Sequence, residues 1–274
     1  MGARALIDSG AARLQSAGVE TPRLDAELLL AAAAGASRSE VVAGLVDPAG
    51  AESTYEDWIA RRAKREPLAY ITGSQGFRRI DLAVDPRVLI PRPETELLVA
   101  VVKIDRPCGI LDVATGSGAV ALALADELPD ATILASDISA DALAVAEHNA
   151  KLLGIDQVRF VESNLLESIK GQFDAIAANL PYVEAATIDR LQPEVARFEP
   201  RLALDGGDDG LSLVRLLADQ APAHLKPGGL IALEIGAGQA QATAHLLEQA
   251  GFNRIELHED LAGIERVVSG RRPS

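Results

Sequence analysis

A single cysteine, Cys108, stands in the 274-residue chain, which excludes an internal disulfide and suits a reducing compartment. It precedes a predicted strand and is read as inert. Histidine is almost as sparse. His148, His224, His245 and His258 lie far apart without a His-x-x-x-His spacing, so no metal site is expected. No run approaches the ~18 apolar residues of a bilayer span, so no membrane partner is expected. Met1-Gly-Ala-Arg4 is followed by Asp8 and Arg13 in an amphipathic pattern, unlike the apolar core of a secretory signal, and a cytoplasmic location is expected. Basic residues are outnumbered, 26 Lys and Arg against 40 Asp and Glu, for a net charge of −14. Residues 1–73 hold 8 and 10 of these, so the acidic surplus sits on the remainder. That balance argues against bare nucleic acid as a partner, because phosphate binding needs a basic stripe. Most of the surplus is read as surface solubility. Internal repeats and low-complexity tracts are absent.

What is there supports a substantial core, since 48% of the residues are apolar. Residues 1–73 read as a small helical domain. Apolar positions recur at helical spacing around Leu6 and Leu14, Leu24 to Leu30, and Tyr55 to Ile59, punctuated by Gly18, Gly35 and Asp47-Pro48. Residues 74–92 read as a β-hairpin linker. Phe77 to Val84 alternates as one strand, Asp85-Pro86 turns, and Val88-Leu89-Ile90 returns. Residues 93–274 alternate strands and helices, and are predicted to form an α/β domain with a doubly wound sheet. Predicted strands are 110–113, 132–136, 158–161, 175–178, 230–235, 255–258 and a short one at Val267-Val268. Ligands of such a sheet bind beyond the carboxyl ends of its strands.

Two of those ends carry chemistry. The first predicted strand leads into Asp112-Val-Ala114-Thr115-Gly116-Ser117-Gly118. The glycines let backbone approach a ligand, and the following helix offers free N–H groups. A Gly-x-Gly turn alone is equally compatible with a plain tight turn. Position 121 is Ala, so the strict nicotinamide fingerprint is not met, although its relaxed form tolerates Ala there. The second strand ends at Ser136-Asp137-Ile138-Ser139, where Asp137 can accept hydrogen bonds from ribose hydroxyls. The competing reading is a helix N-cap, for which Ser139 is the better candidate. The third ends at Glu162-Ser163-Asn164, and the Asn164 amide oxygen can accept a bond from an adenine amino group.

The fourth strand ends in Asn179-Leu180-Pro181-Tyr182, and this corner turns the reading toward methyl transfer to a planar –NH2 group. The lone pair of such a nitrogen is delocalised, and two acceptors on its two N–H bonds aim it and draw the pair out of conjugation. Asn179 offers its side-chain oxygen and Leu180 its backbone carbonyl. Tyr182 offers a stacking face and Pro181 holds the turn. Catalysis is then chiefly positioning. The expected cofactor is S-adenosylmethionine, with the Ala114–Gly118 turn, Asp137 and Asn164 as its candidate contacts.

The chain resembles the PrmC/HemK family of release factor glutamine methyltransferases along almost its whole length. The resemblance rests on Arg23-Leu-Asp25-Ala-Glu27-Leu-Leu29, Glu66-Pro-Leu-Ala-Tyr70-Ile-Thr-Gly73, Leu89-Ile-Pro91-Arg92-Pro93-Glu94-Thr95-Glu96, Phe198-Glu199-Pro200-Arg201-Leu-Ala-Leu-Asp-Gly206-Gly207 and Asp260-Leu-Ala-Gly263. It implies methylation of the glutamine side-chain amide in the Gly-Gly-Gln motif of class I peptide-chain release factors, with cofactor contacts at Ala114, Thr115, Gly116, Ser117, Gly118, Asp137, Asn164 and Asn179, substrate contacts at Asn179, Leu180, Pro181 and Tyr182, and the helical domain helping to dock that protein. A monomer without a direct nucleic-acid partner is expected. Ala114 stands where the family usually has glycine. Asn164 stands where many methyltransferases have Asp, and Leu180 where the family has proline. Asn-Leu-Pro-Tyr is typical of ribosomal RNA adenine dimethyltransferases, so adenine-N6 methylation of RNA is the alternative activity, although those enzymes lack this helical domain and the Pro-Arg-Pro-Glu-Thr-Glu segment. A third reading is a cofactor-binding protein without turnover. Arg92 and Glu94 are read either as an interdomain ion pair or helix cap, or as direct substrate contacts.

Overall fold

The structure is a computed structural model and describes residues 2–274. The chain divides into two compact units. One runs to Ser74 and takes in Gln192–Phe198; the other comprises Gln75–Leu191 and Glu199–Ser274.

The first unit is helical: α1 (Ala3–Ser16), α2 (Pro22–Ala34), α3 (Arg38–Val42), α4 (Glu52–Ala63) and α5 (Leu68–Thr72). Its core gathers Leu6, Ile7 and Leu14 of α1, Leu29 and Leu30 of α2, and Tyr55 and Ile59 of α4. Proline opens α2, where its missing N–H costs nothing, and left-handed Gly35 closes it. Ser37 and Glu40 form a reciprocal capping box that starts α3. Asp25 and Glu27, both on α2, turn out to be buried anchors. Asp25 takes a 2.7 Å bond from Arg62, and Glu27 pairs with Arg23 and Arg38. Arg62 also reaches Glu194 at 2.9 Å, and Arg65 grips Glu194 through Nε and Nη2 at 2.6 Å each. Two arginines thus hold the short helix Pro193–Phe198 in this unit, through side chains whose pairing leaves no trace in hydrophobic periodicity.

In the second unit, a two-stranded hairpin of β1 (Ser74–Phe77) and β2 (Ile80–Ala83) precedes α6 (Thr95–Val102). The hairpin lies earlier than the alternation suggests, and Val88–Ile90 forms no strand. The turn falls inside the alternating run because Arg78 adopts a left-handed φ of 52°. Its backbone N–H donates to Glu96 Oε1 at 3.0 Å, and its guanidinium pairs with Glu127. Side-chain partners pin a turn that has none of the usual Asn-Gly chemistry.

Then follow β3 (Gly109–Val113), α7 (Ala119–Glu127), β4 (Thr132–Asp137), α8 (Ala140–Leu153), β5 (Val158–Glu162) and β6 (Phe173–Ala178). The helix already met at Pro193–Phe198 is α9, and the unit ends with α10 (Ser212–His224), β7 (Leu225–Glu234), α11 (Ala240–Gln249), β8 (Asn253–Glu259) and β9 (Glu265–Arg271). The seven-stranded sheet has the order β5-β4-β3-β6-β7-β9-β8, with β9 antiparallel to both its neighbours and the other pairings parallel. Both faces are covered, so the central strands β3 and β6 are largely apolar and their successive side chains enter opposite cores. Ile110, Ala175 and Ala177 join α6, α7 and α8, whereas Leu111, Ile176 and Ala178 join α10 and α11. The doubly wound sheet expected from the alternation is therefore present. Its order reverses between β3 and β6, where Val113 pairs with Ala178 at their carboxyl ends. This opens a crevice at the switch point.

Gly10 marks a close approach in the helical unit. A Cβ there would lie 2.1 Å from Tyr55 Oη, whose hydroxyl donates to the Leu6 carbonyl at 3.0 Å. Gly10→Ala is expected to destabilise the protein by about 1–3 kcal/mol, the usual range for overpacking. Urea denaturation checks this, and an unchanged midpoint would show that Tyr55 yields freely.

Candidate active site

The crevice is a cavity walled by the loops after β3, β4, β5 and β6, together with Arg92, Thr95 and Leu202. Ala114, Thr115, Gly116, Ser117, Asp137, Asn164, Asn179, Leu180 and Pro181 all line it. Gly118 and Tyr182 do not appear on its walls. Gly118 begins α7 in left-handed conformation, and a Cβ there would meet Leu122 at 2.9 Å, so its demand is for packing. Tyr182 turns toward Gly236 and the charge of Glu234, and burial pushes its phenol up to about 12.

Carboxylates hold the first loop. Asp112, at the end of β3, accepts from Thr115 Oγ1 at 2.6 Å and from Ala121 N at 3.2 Å. Burial pushes its carboxyl up to about 7. Asp137 Oδ2 accepts from Gly116 N and Oδ1 from Ser139 N, both at 2.9 Å. Burial raises the Asp137 pKa against those two bonds. Ser139 caps α8 by accepting from Ala142 N, so the cap falls to Ser139 and Asp137 remains on the cavity wall. Asn149 of α8 was silent in the sequence. It donates to the Ser117 carbonyl at 2.9 Å and exchanges two bonds with the backbone of Ala83.

This wall fits an adenosyl group. Gly116 has φ +58° with open space where a Cβ would stand, so bare backbone faces the cavity. Each Asp137 oxygen has lone pairs beyond its one backbone bond, enough for ribose hydroxyls. Ile138 lines the cavity while 51% exposed, an apolar surface suited to a flat ring. The NH2 end of Asn164 is spent on Glu167 at 2.8 Å, leaving its oxygen as acceptor. Ala114 and Leu165 both take left-handed φ, of 60° and 47°. Such strain in non-glycine residues costs about 1–3 kcal/mol and clusters where a loop must present its backbone.

Second-site backbone is clasped from outside. Gln239 Nε2 donates to the Tyr182 carbonyl at 3.0 Å, while its Oε1 accepts from Gly236 N. A Cβ on Gly206 would lie 2.7 Å from the Pro181 carbonyl, which explains a glycine in that loop. Leu180 is buried in the core beside α10, so its side chain anchors the corner. Asn179 Nδ2 donates to Thr95 Oγ1 at 3.1 Å, which leaves the amide oxygen for the cavity. Arg92 pairs with the buried Glu199 at 2.6 Å. Both belong to the sheet unit, so the pair is not interdomain. Burial raises the Glu199 pKa and Arg92 opposes the rise. Glu94 makes no side-chain cap to α6. Thr95, Asn149 and Gln239 escaped sequence reasoning because each acts through a partner distant in sequence.

Comparison with known proteins identifies the family. The PrmC N-terminal domain family matches residues 5–73, and the methyltransferase small domain family matches residues 93–195. A release factor glutamine methyltransferase from Rhodospirillum rubrum is 46% identical, covering 97% of this chain and 84% of its own. Another from Geobacter sulfurreducens is 41% identical, covering 98% and 96%. Among solved structures, a methyltransferase from Pyrococcus furiosus shares the fold, with a TM-score of 0.57 at 16% identity over 78% of this chain and 99% of that one. The ribosomal protein L11 methylase of Lactobacillus delbrueckii subsp. bulgaricus shares it with a TM-score of 0.50 at 24% identity, over 66% and 80%. Identity of this level along nearly the full length places the protein in the family of release factor glutamine methyltransferases, which use S-adenosylmethionine as methyl donor.

Proposed function

We propose that this enzyme methylates the side-chain amide nitrogen of the glutamine in the Gly-Gly-Gln motif of class I peptide-chain release factors. The observation that carries the reading is the arrival of the Asn179 oxygen and the Ala114–Gly118 loop in one cavity, at the ends of paired strands. When bound there, S-adenosylmethionine supplies an electrophilic methyl group on a sulfonium.

The residues of the chain bind and aim. Asp137 takes ribose hydroxyls, Asn164 an adenine amino group, and Thr115 to Ser117 present backbone to the donor. Asn179 Oδ1 and the Leu180 carbonyl accept the two N–H bonds of the substrate amide. Both bonds strengthen as the nitrogen loses conjugation, so they favour the transition state over the ground state. Leu180 keeps the carbonyl in place by burial, replacing the rigidity that proline would give. Pro181 closes the wall. Tyr182 contributes through its carbonyl, tied to Gln239, and its ring is available only if the corner rearranges on substrate binding. The N-terminal helical unit is the part proposed to recognise the release factor. A cytoplasmic, monomeric enzyme is the setting that suits such a substrate.

Labelled methyl transfer to a purified class I release factor tests the reading directly. Label is expected in the wild-type factor and absent when its Gly-Gly-Gln glutamine is changed to alanine. Label in neither, but in adenine of a ribosomal RNA fragment, would replace the proposal by the adenine activity. Asn179→Ala is expected to leave donor affinity largely intact and lower turnover by roughly 10²–10³-fold, as for loss of one positioned polar contact. Turnover near the wild-type value would remove Asn179 from its role. Asp137→Ala is expected to weaken donor binding about 10-fold or more, since a charge-assisted bond contributes about 1.5–3 kcal/mol. Calorimetry with unchanged affinity would take Asp137 out of the site.

A further inference from the structure

The loop after β3 presents backbone to the cavity, so whatever fixes its peptides fixes the fit of the donor. Three of its N–H groups are tied close by. Thr115 N donates to the Ser136 carbonyl and Gly118 N to the Thr115 carbonyl, both at 2.9 Å. Gly116 N donates to Asp137 Oδ2 at 2.9 Å. Gly116 and Gly118 take left-handed φ of 58° and 85°, so the peptides they flank are free to turn over unless held. From behind, the Ser117 carbonyl accepts from Asn149 Nδ2 at 2.9 Å.

Asn149 is 1% exposed and stands on α8. One turn before it, Ala146 packs so closely on the loop that its Cβ would lie 3.2 Å from a Cβ on Gly118. The Asn149 amide makes three bonds. Nδ2 donates to the Ser117 carbonyl and, at 3.0 Å, to the Ala83 carbonyl, while Oδ1 accepts from Ala83 N at 2.8 Å. Two donations and one acceptance from a single short side chain call for a primary amide, since a carboxylate cannot donate and an ammonium cannot accept.

The second partner matters as much as the first. Ala83 is the last residue of β2. The chain then turns at Asp85, whose Oδ1 accepts from Arg87 N at 3.0 Å, and Arg87, Val88 and Leu89 go on to line the cavity. The hairpin is a two-stranded sheet of its own, unpaired with the seven-stranded one. Strand pairing therefore does not set the spacing between the wall that follows β2 and the loop that follows β3.

We infer that Asn149 is a positioning residue for the methyl donor: one buried amide holds the Ser117 peptide of the donor loop and the end of β2 together, and so fixes two walls of the cavity relative to each other. This rests on the donor loop proposed above. It places a determinant of donor affinity outside the cavity lining, on a residue that touches neither donor nor substrate.

The test reads donor binding apart from turnover and stability. By calorimetry with S-adenosylmethionine, Asn149→Ala is expected to bind roughly 10-fold more weakly, on the scale of a buried carbonyl left unpaired. Its donor KM is expected to rise alike, with kcat at saturating donor near wild-type. Asn149→Asp keeps the shape. Its protonated form can still donate to one carbonyl, whereas its ionised form sets a charge against two. Because burial holds such a carboxyl protonated well above its ordinary range, its donor affinity relative to wild-type at the same pH is expected to fall as pH rises from about 6 to about 9.5. Asp112 and Asp137, which hold the same loop, titrate in both proteins and cancel in the ratio. A wild-type donor affinity in Asn149→Ala overturns the inference, even with a lowered melting temperature, because that is the mark of a merely structural bond. So does a loss confined to kcat. If Asn149→Ala does not fold, Asn149→Asp decides alone, and an affinity ratio flat across the pH range overturns the inference. Should Asp137→Ala also bind the donor as wild-type does, the donor site itself is misplaced. Weak binding by Asp137→Ala beside full binding by Asn149→Ala removes the role of Asn149 only.

Discussion

The pairing of β3 with β6 is the constraint on which the rest of the site depends. Backbone bonds between adjacent parallel strands set Val113 opposite Ala178, and the next residue of each strand is Ala114 and Asn179. Two loops separated by more than sixty residues are thereby delivered to one crevice with no side chain needed to bring them together. The apolar strands that make this pairing possible are buried on both faces. The loops that carry on from these strands are consequently anchored in the core, which suits chemistry that works by aim.

The loops add a second layer of fixation, made largely of acids. Asp112, Glu199 and Glu234 are all buried, and burial raises the pKa of each. Asp112 and Glu199 each have a local partner, Thr115 and Arg92 respectively. Such groups give little net stability, because desolvation offsets what their bonds contribute. Their value lies in direction, since a buried acceptor tells a neighbouring hydroxyl or guanidinium where to point. The acidic surplus of the sheet unit is therefore not all surface solubility.

Much of this was legible in the sequence, and the reasons for the exceptions are physical. Alternating apolar strands and helices report burial directly, so the doubly wound sheet could be read from periodicity. The residues at the strand ends could be placed along one crevice because the alternation fixes where each strand stops. The hairpin was misplaced because Arg78 turns the chain through partners at Glu96 and Glu127, which no local pattern encodes. Asn149, Thr95 and Gln239 were invisible for the same reason: each acts on backbone or side chains far along the chain. Tyr182 was read as a stacking face for the substrate, whereas its ring sits beside Gly236.

The short helix α9 has a consequence for how the protein can be taken apart. It begins eleven residues after Tyr182, yet it belongs to the helical unit, held by Arg62 and Arg65 through Glu194. The chain therefore passes between the units three times, at residues 74–75, 191–192 and 198–199. A module joined by one linker can be cut off, swapped or lost in a single genetic event. This one cannot. Deleting the first 74 residues would strip Glu194 of both arginines. The helical unit and the loop that follows the catalytic corner must accordingly be inherited together, as one heritable piece rather than two.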